Sequence, residues 1–252
     1  MKTLNPEPEC AFYKMLYWSA LLLLVGCGRY FPGPIEPAPE DRQEVYASIE
    51  DDGTIIAVFN RLEISLRPMT DQELNRQFAD YSAAGANSKN PYTFGNWKPL
   101  GDTYTPPKYT VFAVQVKNYE YPKVHLDPTR LTLVSQQAGR EYDPLNRSDI
   151  LEFYASMIPG YAGNAYSIFQ ERREILTRTM YPDEDVFSGQ EVEGYVVFPA
   201  LPPDIHEFTV HLSDVAVRFD FRQQPVETID LAYRFQREVF KGYQPPADWA
   251  RE

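Results

Sequence analysis

Cysteine is nearly missing from this chain, with Cys10 and Cys27 the only two among 252 residues. Two thiols cannot build a four-thiolate zinc site or an iron–sulfur cluster, and no Cys-x-x-Cys-His run is present for c-type haem. Histidine is almost as scarce. His206 and His211 are five residues apart, so on one strand they point to opposite faces and cannot chelate together; His206 shares the face of Phe208 and Val210 and is expected to pack. His125 stands alone in the sequence. No serine elbow, phosphate-cradling glycine loop or His-Glu zinc motif occurs. Basic residues are also short, 24 against 36 acidic ones, for a net charge of −12. That balance argues against nucleic acid and against a surface that hugs anionic lipid. No apolar run reaches the roughly 20 residues a spanning helix needs.

The run that is present, Met15 to Val25, is apolar except for Ser19, with Lys14 just before it and Arg29 soon after. Its length and flanks are those of a signal-peptide core. Leu24-Val25-Gly26-Cys27 at its end resembles the lipobox of bacterial lipoproteins. The resemblance implies cleavage before Cys27, a diacylglycerol thioether on its sulfur and an acylated amine. It implies a leader at 1–26 and membrane attachment through the lipid, since two or more acyl chains hold a protein stably. Cys27 would then be the sole cysteine of the mature chain, which excludes a disulfide and thiol catalysis. Gly28 follows where an Asp would resemble an inner-membrane retention signal, so the expected location is the outer membrane, with a periplasmic or surface-exposed body. In an organism with one membrane it is the outer face of that membrane.

Residues 27–42 are punctuated by Pro32, Pro34, Pro37 and Pro39 and predict a semi-rigid polyproline tether. The body, expected over 43–240 as one domain, reads as mainly β. Asp51-Asp52-Gly53 between β-rich runs predicts a hairpin, with the two aspartates serving the turn and not a calcium ion. Leu62, Ile64 and Leu66 alternate with polar residues, as do Phe112, Val114 and Val116. Leu131 and Leu133 predict another strand, followed by a turn at Ala138-Gly139. The last third alternates repeatedly through Val196 to Phe198, Phe208 to Leu212, Val215 to Phe221 and Ile229 to Phe235. Thr70 and Glu73 form a capping-box pattern that predicts a short helix near 70–84. A second helical block is expected at about 148–181, opening at Ser148-Asp149. Within it Ile168, Phe169, Ile175, Leu176 and Met180 form the packed side, and Glu171, Arg172, Arg173 and Glu174 the solvated one. The fold class expected is an Ig-like β-sandwich with a helical insertion and a flexible tail at 241–252. Ser188-Gly189-Gln190 through Val196-Val197-Phe198-Pro199 to Phe219 also resembles Ig-like accessory domains of extracellular bacterial lipoproteins.

Residues 86–107 form a long loop rich in aromatics, proline and glycine. Tyr92, Phe94 and Trp97 are its candidate ligand or partner contacts, because aromatic faces on a loop suit recognition. The competing expectation is that these rings fold back and plug an open end of the sandwich. Asp183-Glu184-Asp185 could gather a cation, but consecutive carboxylates diverge and a solvated loop explains them. No cofactor, metal or catalytic set is expected. The first functional reading is a non-enzymatic, membrane-anchored envelope lipoprotein that acts as a structural or protein-interaction module. Two others stay open: an envelope glycan-binding module using the loop at 90–99, and an envelope hydrolase with a pair of facing carboxylates.

Overall fold

The computed structural model describes residues 28–101, 104–137, 139–160 and 162–246. The leader, Cys27, Ala138 and Trp249 lie outside the described residues. The chain opens with two short strands, β1 (Arg29–Pro32) and β2 (Glu36–Pro37), then β3 (Ala47–Ile49), β4 (Ile55–Phe59) and β5 (Leu62–Met69). Helices α1 (Asp71–Gln77) and α2 (Ala79–Ser82) follow, and a long loop leads to β6 (Tyr109–Asn118). Strands β7 (Lys123–His125), β8 (Leu131–Ser135) and β9 (Glu141–Tyr142) precede helices α3 (Arg147–Ser156) and α4 (Ala165–Thr179). The remainder is β10 (Asp185–Phe187), β11 (Gln190–Pro199), β12 (Glu207–Phe219), β13 (Pro225–Gln236) and β14 (Val239–Gly242).

The strands build a β-sandwich. A five-stranded sheet in the order β11-β6-β5-β4-β3 faces a seven-stranded sheet that runs β10-β7-β12-β13-β2, with β8 added beside β12 and β9 beside β8. The period-2 pattern sets which side chains meet. Leu62, Ile64, Leu66, Phe112, Val114 and Val116 point inward from one sheet; Phe208, Val210, Leu212, Leu231, Tyr233 and Phe235 come from the other. Phe112 is the hub, its ring 5.9 Å from Phe198, 6.4 Å from Phe208 and 5.1 Å from Phe235. Burying each such side chain contributes about 1.5–3 kcal/mol. Tyr233, though in this apolar layer, is satisfied because its hydroxyl donates to the Ile64 carbonyl at 2.9 Å.

The 50–54 hairpin forms as expected, with Gly53 at φ +83° and the Gly53 amide donating to the Glu50 carbonyl. So does the capping box of α1, Thr70 Oγ1 accepting from the Glu73 amide at 3.2 Å and Glu73 Oε2 accepting from the Thr70 amide at 2.9 Å. Four expectations need correction. The residues 29–42 are not a free tether. β1 pairs with β14 over four residues, β2 pairs with β13, and Phe31 is buried against Tyr104 at 5.2 Å. The fixed φ of proline that favours a polyproline spacer suits an edge strand equally well. For the same reason the body does not stop at residue 240, since β14 runs to Gly242. The first helix does not run unbroken to Ala84: Phe78 leaves helical geometry at φ −111°, ψ 46°. Its ring lies 5.9 Å from that of Tyr92, in the outer core. Helix α3 is capped by Asn146, with Asp149 closing the box from the third helical position, two residues before the expected start.

Two sheet edges are covered. On β11, the Tyr181 amide donates to the Tyr195 carbonyl at 2.9 Å and the Leu145 amide to the Val197 carbonyl at 2.7 Å. Gly194 allows this approach, because a Cβ there would collide with the backbone of Tyr181. On β13, the Gln43 side-chain amide donates to the Arg234 carbonyl at 2.8 Å and accepts from its amide at 3.1 Å. The Ala232 amide donates to the Tyr46 hydroxyl at 3.1 Å.

Candidate functional site

The five-stranded sheet is buried on both faces where β6 and β11 run side by side. Its outer face presents Val111, Tyr195 and Val197, and these are covered by Leu74 of α1, Ile150 and Tyr154 of α3, and Ile175 and Leu176 of α4. The helical block therefore forms a third layer on the sandwich. The long loop is sewn into that layer by its amides. Asn90 is fully buried and donates to the Leu74 carbonyl at 3.3 Å, Ser82 Oγ at 3.0 Å and Asn75 Oδ1 at 3.3 Å, while accepting from the Tyr92 amide at 2.9 Å. Thr93 Oγ1 donates to Asn75 Oδ1 and accepts from the Gly95 amide at 3.0 Å. Gly95 sits at φ +62°, and a Cβ on it would strike the Ser82 carbonyl and the Ser88 side chain. Positive φ and close approach together require glycine here.

This stitching divides the three aromatic candidates. Tyr92 is fully buried and its hydroxyl lies 2.5 Å from Thr179 Oγ1. Thr179 spends its own proton on the Ile175 carbonyl at 2.7 Å, so Tyr92 is the donor. The expectation of Tyr92 as a contact residue is thus corrected: it is a core residue, and it plugs the outer face of a sheet, not an open end of the sandwich. Phe94 and Trp97 behave differently. Their rings lie 5.6 Å apart, and Trp97 remains 36% exposed.

Beside that pair is a cleft of about 260 Å³, walled by Phe94, Trp97, Phe153, Met157, Lys108 and Arg172. Lys108 Nζ donates to the Tyr154 hydroxyl at 2.5 Å, and that hydroxyl donates in turn to the Pro91 carbonyl at 2.5 Å. The Tyr154 ring carries a cation against it twice, Lys108 Nζ at 4.5 Å and the Arg172 guanidinium at 4.2 Å from its centroid. Phe94 and Phe153 add ring contacts to Lys108 at 5.2 and 5.7 Å. Burial pushes the Lys108 ammonium down to about 7, Arg172 adds repulsion, and Asp71 works against both. Burial likewise pushes the Asp71 carboxyl up to about 7, opposed by the attraction of Lys108.

Arg172 corrects a further expectation. It is 3% exposed and donates to the Ser88 carbonyl at 2.5 Å, so the charged side of α4 is not wholly solvated. The signal was in the spacing: Arg172 is four residues after Ile168 and three before Ile175, on the packed stripe itself. Lys108 carried no comparable signal. Elsewhere, Asp183 and Asp185 are not a bare solvated loop. They bracket His125 at 3.3 and 3.1 Å, and Lys123 Nζ lies 3.1 Å from Asp185. His206 precedes β12 and is half-buried, and His211 is exposed.

No helix among the described residues is long and apolar enough to cross a membrane. No protein-family profile matches the sequence, and no curated protein does. A secreted protein of Mycobacterium tuberculosis, MPT63, is similar in structure at a TM-score of 0.30 and 7% identity, over 66% of this chain and 90% of that one.

Proposed function

We propose that this chain is a lipid-anchored protein of the bacterial cell envelope that acts by binding a ligand or partner. The support for location is the Leu24-Val25-Gly26-Cys27 pattern behind an apolar core, with Gly28 next in line. A lipid on Cys27 would hold the sandwich close to the membrane, because β1 begins at Arg29. The observation that carries the binding role is the Phe94–Trp97 pair. Its rings are held by a buried amide network yet remain partly open to solvent, beside a half-buried lysine. Rigid aromatic anchors of this kind bind at small entropic cost.

Replacement of Cys27 by Ala tests the anchor. The variant is expected to leave the membrane fraction, or to stay there only at the size of the uncleaved precursor. A variant cleaved at the normal site and still membrane-bound would remove the lipid anchor from the reading.

A further inference from the structure

The cleft walled by Phe94, Trp97 and Phe153 is polar at few points, and its two hydroxyl side chains, Ser88 and Thr93, are already committed. Ser88 Oγ donates to the Tyr81 carbonyl at 3.1 Å and accepts from the Asn90 amide at 3.3 Å. Thr93 Oγ1 has Asn75 and Gly95 as partners. Arg172 is engaged with the Ser88 carbonyl and the Tyr154 ring. Lys108 differs: an ammonium has three donors, and one of them goes to Tyr154. Among the described residues that line the cleft there is no carboxylate, although the whole chain has a net charge of −12. The walls are otherwise rings, the Met157 thioether and the small residues Gly85 and Ala86.

We infer that this cleft binds a small ligand with a flat apolar body and one anionic head, an arylalkyl carboxylate in chemical class, with the rings taking the body and Lys108 the head. The inference rests on the binding role proposed above and is independent of the anchor. A neutral sugar fits poorly, since each of its hydroxyls needs a partner and the two hydroxyl side chains here are spent inside the protein. A single carboxylate asks for one strong cationic donor, which Lys108 supplies in a site where charge-assisted bonds are stronger than in water. Burial, Arg172 from α4 and Asp71 from α1 set the Lys108 charge, in that order, while Tyr154 from α3 and Tyr109, the first residue of β6, pack their rings against it. A bound carboxylate offsets the repulsion from Arg172 and restores the proton.

The test is calorimetric titration of the purified chain with phenylacetate, with its neutral isostere phenylacetamide, and with glucose and glucuronate. Phenylacetate is expected to bind at roughly millimolar strength or better, about tenfold tighter than the amide and either sugar. Binding should tighten by about tenfold from about pH 8.5 to about pH 6, as Lys108 gains its proton, since phenylacetate stays ionised throughout. Lys108→Gln should erase both the preference for acid over amide and the pH dependence; Trp97→Ala should weaken acid and amide alike. Equal affinity for acid and amide in the unaltered protein would overturn the inference, with no variant needed. Sugar binding as tight as phenylacetate would overturn it while leaving the binding role standing. No binding of any of the four would remove both.

Discussion

The two faces of the five-stranded sheet are built on different principles. The inner face meets the opposing sheet through side chains that need only be apolar and alternate, and its core is mostly Val, Leu, Ile and Phe, with Tyr233 satisfied by the Ile64 carbonyl. The outer face meets helices and a loop through a mixed layer in which Asn90, Thr93, Ser82 and Arg172 are buried among Leu74, Tyr92 and Tyr154. The inner core tolerates exchange of one apolar residue for another of like size. The outer layer depends on single amides whose partners are fixed, and an orphaned partner costs its full desolvation. This difference also explains where the cleft is: a layer held by polar stitches can leave aromatic rings partly uncovered, whereas a sheet-on-sheet core cannot.

The comparison can be broken most forcefully at Phe112. Phe112→Ala removes the hub of four rings and is expected to cost about 3–5 kcal/mol, with the whole domain unfolding at lower denaturant. Urea unfolding followed by circular dichroism measures it. A loss under about 1 kcal/mol would mean that the inner core does not dominate stability.

Asn90→Ala should cost less, about 2–4 kcal/mol, because it strands the buried Tyr92 amide and removes the donor shared by Ser82 Oγ and Asn75 Oδ1. The effect should also be local. Hydrogen exchange should accelerate in the loop and in α1 while β12 and β13 stay protected. Equal acceleration in both sheets would show that the layers melt as one.

The smallest effect concerns pH and sharpens the contrast, since the two groups pushed to about 7 belong to the outer layer or its margin. Lys108, pushed down from 10.5 to about 7, binds fewer protons folded than unfolded across that window, so stability rises with pH there. Asp71, pushed up from 3.8 to about 7, binds more protons folded, so stability falls as pH rises towards 7. Together they give a trough near neutrality. Urea midpoints at about pH 5, 7 and 9 should show it, and the double variant Asp71→Asn, Lys108→Met should flatten it. An unchanged profile in the double variant would refute this origin.

The same contrast marks what was legible in the sequence. Strict alternation at Leu62, Ile64 and Leu66, or at Phe208, Val210 and Leu212, predicts a half-buried strand because every second side chain must face the core. The capping box at Thr70 and Glu73 was equally readable, being a local contact four residues long. The site was legible only as a cluster of rings. Whether Tyr92 or Trp97 faces solvent depends on bonds from Asn90 to residues 8 to 16 positions away, and no local pattern encodes those. Lys108 reaches Tyr154 across 46 residues, and Arg172 reaches Ser88 across 84. The prolines of 32–39 misled for a different reason: they fix φ without saying whether a neighbouring strand is present to pair with.

The covered edges bear on how this protein can meet other molecules. A lipid anchor would confine many copies to a plane, where an open strand edge would invite neighbouring chains to add to the sheet. β11 has its rim occupied by the backbone at Leu145 and Tyr181, and the upper part of β13 is closed by Gln43 and Tyr46. What remains open on β13, from Pro225 to Asp230, carries a proline and the acidic Glu227 and Asp230. Proline offers no donor, and like charges brought side by side repel. At these two edges crowded copies should therefore not add strand to strand, and recognition there falls to side chains, not to backbone pairing.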